Sequence, residues 1–282
     1  MAARIITGLT IREARRRKVL WGLLILSAFF LGLYALGLNF VYTEIMAHGG
    51  LPSGASRLFS LNDVWNFWLT AALYGANFLL VMMAVLVSVD TLAGEISSGT
   101  IQSIAVKPLR RHEILLGKWL GFVVMLAGYT LLLAGGVIAI TALITGYTLA
   151  AWLPTLALMY LEALVLLSVS IVGGTRLSTL ATGVLGFGLF GVAFIGGWIE
   201  QIGSFVLVES EAAVSIGRLA SFAMPSEALW RYTLSGVTTS RNPFSFIFGG
   251  ASSPDAGIVV YAIGYAAALL ALAVLSFRRR DL

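Results

Sequence analysis

Six unbroken apolar stretches, each about 20 residues or longer, decide what this chain can fold into. A hydrocarbon core of about 30 Å is crossed by about 20 helical residues. Residues 19–42, 67–89, 119–145, 152–174, 180–199 and 257–277 all meet that length. Lipid offers no partner to a bare N–H or C=O, so a spanning segment is a helix or a strand of a closed barrel. None of the six shows the polar-apolar alternation of a barrel strand. The expected fold is therefore all-α and integral to a membrane, one transmembrane domain over residues 1–282 with six transmembrane helices. The chain is 59% hydrophobic and only 11% charged, which excludes an ordinary soluble globule. Its basic start before an apolar run resembles a secretion signal, but the run is longer than a signal's apolar core, so a retained first helix is expected.

Lysine and arginine orient such a bundle, because basic residues stay on the cytoplasmic side. Of the 18 basic residues, 14 fall before the first span, between the second and third, between the fourth and fifth, or after the sixth. Arg57, Arg218, Arg231 and Arg241 are left for the other side. Both termini are expected in the cytoplasm. The formal charge of +5 is thereby explained by helix ends, and no nucleic-acid partner is expected. Cysteine is absent, and His48 and His112 fall on opposite sides, which argues against a metal centre within one subunit. Residues 1–18 place Ile5, Ile6 and Leu9 among basic residues, as in an amphipathic helix lying on the inner leaflet. The outer segment 200–256 is too apolar for a linker; re-entrant or short helices dipping into the outer interface are expected, punctuated by Pro225, Pro243 and Pro254.

The cytoplasmic segment 90–118 carries the densest punctuation. Asp90 and Glu95 mark emergence into water, Gly99 can end a helix, and Thr100 can cap a new one over residues 101–106 that Pro108 stops. Arg111 and Glu113 start the rise into the third span, where Lys118 can reach the phosphates. The product is a short amphipathic helix across the cytoplasmic ends of two spans. An ordinary hairpin loop with cytoplasmic charges reads equally well from this composition.

Gly99-Thr100, Pro108, Arg111, Glu113, Leu115 and Gly117-Lys118, with the ending Phe277-Arg278-Arg279-Arg280-Asp281-Leu282, resemble the signature of type-2 ABC transporter permeases. Six spans, inward termini and a long outer segment before the last span extend the resemblance over essentially the whole chain. It implies that the short helix after the second span is a coupling helix, seated in a separate ATP-binding subunit that drives the membrane helices. Glu95, Gly99, Thr100, Ile101, Ile104, Ala105, Val106, Pro108 and Arg111 would make that contact. The chain lacks a phosphate-cradling Gly-x-x-x-x-Gly-Lys-Ser/Thr, so it is expected not to be an enzyme: ATP and Mg would belong to the partner, and no cofactor to this chain. The working unit would hold two ATPase copies and two permeases, a homodimer, in the cytoplasmic membrane of a prokaryote. Export is the expected direction.

Within the bilayer, Glu162 lies about 15 Å deep in the fourth span. A charge there costs about 3 kcal/mol, and protonating an ordinary glutamate at pH 7 costs about 3.7 kcal/mol, so the side chain's partner decides its role. It reads as a proton or cation relay, a substrate contact, or an interhelical hydrogen bond; Asn77 in the second span carries the same alternatives. Six glycines in the fifth span and Ala71, Ala72, Gly75 and Ala76 in the second permit close helix approach. By resemblance these two spans would line a pathway between protomers; packing within one subunit is the alternative. Two rival functions stay open: an ion-coupled secondary transporter centred on Glu162, and a non-transporting, ATPase-driven anchor or force-transmitting subunit acting on an extracytoplasmic partner.

Overall fold

The computed structural model describes residues 2–51, 60–97, 111–205, 211–238 and 254–278, and these are helical with no strand among them. Six helices have the length and apolar character of membrane spans. In chain order the described α-helices are α1 (Ala2–Arg16), α2 (Lys18–Ala47), α3 (Leu61–Ser97), α4 (Arg111–Thr130), α5 (Gly136–Thr145), α6 (Trp152–Gly174), α7 (Thr179–Phe205), α8 (Glu211–Ala223), α9 (Ser226–Val237) and α10 (Gly257–Arg278). The spans are α2, α3, α4 joined with α5, α6, α7 and α10.

Several helices outrun the apolar stretches that announce them. The first continues to Ala47, five residues beyond Tyr42, and the second continues past Val89 and Asp90 to Ser97. Hydropathy marks where the bilayer ends; a helix ends only where its backbone bonds or residue preferences give out, and Glu44, Asp90 and Glu95 do not force that. The third span is not one regular helix: a π-helical turn at Leu131–Gly135 joins α4 to α5. No proline marks it. Gly136, directly after the turn, faces Leu31 of α2 so closely that an added Cβ would lie 3.1 Å from its Cδ1.

The core is built on α3 and α6, with 72% and 67% of their most apolar windows buried, against 11% for α10. The side chains that α2 leaves exposed, including Ile25, Phe29, Leu36 and Phe40, are apolar, as suits a surface turned to lipid. Apolar burial supplies little drive between helices in lipid, and here hydrogen bonds tie spans together. Ser27 and Tyr129 pair at 2.6 Å, Tyr34 and Thr141 at 2.7 Å, and the Tyr160 hydroxyl donates to Val123 O at 3.0 Å. Arg176 Nε, after the fourth span, donates to Ser276 Oγ at 2.8 Å near the end of the last.

Helix α1 docks on α4. Ile6, Thr10 and Ala14, spaced by four, are its buried face; Thr7 Oγ1 donates to Gly117 O at 3.1 Å, and Gly121 admits Thr10 because it has no Cβ. Lys118, expected to extend to the phosphates, is instead 4% exposed, because α1 and the neighbouring helices enclose this end of α4.

Between the fifth and sixth spans the chain folds back on itself. Helix α8 lies against the end of α7, and its last carbonyls, Phe222 O and Ala223 O, accept the hydroxyls of Tyr261 (2.6 Å) and Tyr265 (2.8 Å). Those tyrosines lie one and two turns inside α10, so the C-terminal end of α8 sits about 6–12 Å below the start of the last span. Helix α9 then returns: Asn66, in the second turn of α3, donates to Val237 O at 2.7 Å. The hairpin tip, Met224 to Glu227, is buried.

Candidate functional site

The candidate site residues fall in two regions. The first is the segment between the second and third spans. Glu95 stands on the last helical turns of α3 and Arg111 opens α4, with their side chains outside those described. Gly99, Thr100, Ile101, Ile104, Ala105, Val106 and Pro108 lie outside the described residues. The described flanks place the segment's exit at Arg111, six residues before the Gly117 carbonyl that holds α1.

The second region is a buried charged cluster around the hairpin tip. Asn77 Nδ2 donates to Glu162 Oε1 at 3.3 Å, so the two mid-membrane polar residues singled out in the sequence bond to each other across α3 and α6. Glu162 is 1% exposed, and neither its Oε2 nor Asn77 Oδ1 has a hydrogen-bond partner among the described residues. Glu227, in the first turn of α9, is within electrostatic reach of Glu162. Its position near a helix N-terminus suits a carboxylate. Gly197 of α7 makes room for it: a Cβ there would lie 3.0 Å from Glu227 Cδ.

One turn along α9, Arg231 donates from Nη2 to Glu200 Oε2 of α7 at 2.8 Å, with both side chains largely buried. The fully buried Trp230 meets Tyr74 of α3 edge-on, with ring centroids 4.8 Å apart. Arg231 thus stands between Glu200, which it pairs with, and Glu227, whose other neighbour in charge is the buried Glu162. The sequence reading assigned Arg231 to the outer-side charges and missed Glu200 and Glu227 as site residues. The i, i+4 spacing of Glu227 and Arg231, flanking apolar Leu229 and Trp230, is the signal that could have found them.

The cluster's electrostatics follow from burial. The Glu227 carboxyl is pushed up to about 8, first by loss of water, with Arg231 drawing it down and Glu200 pushing it further up. Glu162 and Tyr74 also face it electrostatically. The folded protein therefore holds a proton on Glu227 at pH values where an unfolded glutamate, near 4.3, has lost it. Because the folded state binds the extra proton, this contribution to stability is full below about pH 4.5, declines as pH rises and is lost above about 8. The expected result is a thermal midpoint that falls between pH 5 and 8, and a shallower fall in Glu227→Gln, read by intrinsic fluorescence in detergent.

Glycines of the fifth span divide between two environments. Gly186 meets Val85 of α3, and Gly196 and Gly197 meet the hairpin, all within the chain. Gly183, Gly188 and Gly191 have nothing within 4 Å of an added Cβ. Beside them Val184, Val192 and Ile195 are exposed. Among the described residues no group of three His, Cys, Asp or Glu side chains is arranged to hold a metal ion.

No curated protein matches the chain. The family model described as ABC-2 family transporter protein matches residues 5–282, nearly the whole chain. With six membrane-spanning helices over that same extent, the chain belongs to the ABC-2 transporter family, whose members are membrane permease subunits of ABC transporters.

Proposed function

We propose that this chain exports a substrate across the cytoplasmic membrane of a prokaryote, as one of two identical permease subunits driven by two copies of an ABC ATP-binding subunit. The whole-chain family match carries the reading. The ATPase seats on residues 95–111, with Thr100, Ile101, Ile104, Ala105 and Val106 as its apolar docking face, and the termini on the same, cytoplasmic side. ATP and Mg bind that partner, since this chain has no phosphate-cradling glycine loop. The second permease copy packs on the open face of α7, where Val184, Gly188, Gly191 and Ile195 repeat at helical spacing with small residues at its centre. Glu162 and Asn77 serve structure, joining α3 to α6 through their hydrogen bond.

Co-purification with an ATP-binding subunit followed by flux measurements in liposomes tests this. ATP-dependent flux is expected. Flux without the ATPase would instead favour ion coupling through Glu162, and ATPase binding without flux would favour a force-transmitting anchor. Ile104→Asp should reduce transport-coupled ATP hydrolysis about tenfold by placing a charge in the apolar contact, equivalent to about 1.4 kcal/mol. Unchanged coupling in that variant would remove the docking assignment.

A further inference from the structure

We propose that the cavity between α8, α9 and the start of α10 binds the headgroup of a zwitterionic phospholipid from the outer leaflet. The cavity holds about 520 Å³ and is lined by Arg218, Glu200, Arg231, Asp255, Phe222 and Tyr261, among others. That volume lies within the range of small-molecule sites, about 300–1,000 Å³. Its four charged groups are not equivalent. Arg231 and Glu200 neutralise each other at 2.8 Å. Arg218 on α8 and Asp255 just before α10 form no ion pair among the described residues; Asp255 Oδ1 accepts only the neighbouring Ala256 N–H, at 2.8 Å.

One charge of each sign, neither in an ion pair among the described residues, therefore faces the same space, one from α8 and one from the turn before α10. A purely anionic ligand would gain from Arg218 and lose beside Asp255, and a cation would do the reverse. A ligand carrying both a phosphate and an ammonium satisfies both. The lining itself supplies the second requirement. Phe222 on α8, 64% exposed, and Ile258 on α10 line the cavity beside the charges, and Leu219 and Val260 are exposed on the same two helices. A small soluble zwitterion would fill the polar part and leave these apolar side chains uncovered. A phospholipid covers them with acyl chains while its headgroup enters the cavity. This assignment depends on the bundle spanning a bilayer and not on ATP coupling, so its failure leaves the permease reading intact.

Native mass spectrometry of the full chain with defined lipids tests it. Phosphatidylethanolamine should be retained at least tenfold more than phosphatidylglycerol of the same acyl chains. Arg218→Gln and Asp255→Asn should each lower that retention at least fivefold; both side chains are exposed, and asparagine preserves the acceptor for Ala256 N–H, so thermal unfolding should not change. Equal or greater retention of phosphatidylglycerol overturns the proposal, as does retention indifferent to both substitutions. Displacement of the lipid by micromolar free O-phosphoethanolamine would assign the cavity to a soluble zwitterion and overturn it equally.

Discussion

Arg231→Ala should cost about 3–5 kcal/mol of stability, enough to remove most of the folded protein from membranes. The arginine is 5% exposed and holds Glu200 at 2.8 Å, while Glu227 one turn away also responds to its charge. Truncating it leaves Glu200 without its ion-pair partner and strips Glu227 of the one buried cation that draws it down. Removing one partner of a buried pair is far more costly than removing both, because the survivor keeps its desolvation penalty without compensation. Arg231→Met combined with Glu200→Gln should therefore recover much of the loss. Fluorescence-detected size exclusion and thermal unfolding in detergent measure both variants. A single substitution as stable as the double would show that the pair carries no such burden.

Gly196→Leu should be the next most damaging change, at about 3 kcal/mol, through overpacking. An added Cβ would overlap that of Ala220 on α8, and on the facing helix a Cβ at Gly217 would approach Gly196 O to 2.9 Å. Backbone approach this close leaves no flexible side chain to swing aside. The helices must part, and parting them withdraws the hairpin that carries Glu227 and Arg231. Gly188→Leu, on the open face of the same helix, should leave the isolated protomer's thermal midpoint within about 2 °C, since a surface change is worth about 0.5 kcal/mol or less. Comparing the two separates packing within the subunit from packing between copies.

The spans were legible because a bilayer imposes one length and one solvent on every segment that crosses it. Glu162 stood out for the same reason, as an acid about ten residues inside an apolar run. The π-helical turn at Leu131–Gly135 was not legible: its residues suit a regular helix as well. The charged cluster was obscured by chain distance. Arg231 and Glu200 are 31 residues apart, and each looks solvated when its own neighbourhood is scored. Only the fold-back of α8 and α9, which no local window registers, encloses them together. The segment between the second and third spans had the opposite character: its punctuation is local and visible, and its residues 98–110 lie outside those described.

Tyr261 and Tyr265 fasten the returning hairpin to the last helix, and Ser276 on that helix is gripped by Arg176 at its opposite end. Fifteen residues of continuous helix between Tyr261 and Ser276 make a strut about 22 Å long. A helix is stiff along its axis, so tilting the bundle at one face would drag the hairpin at the other, much as a pushrod lifts a valve.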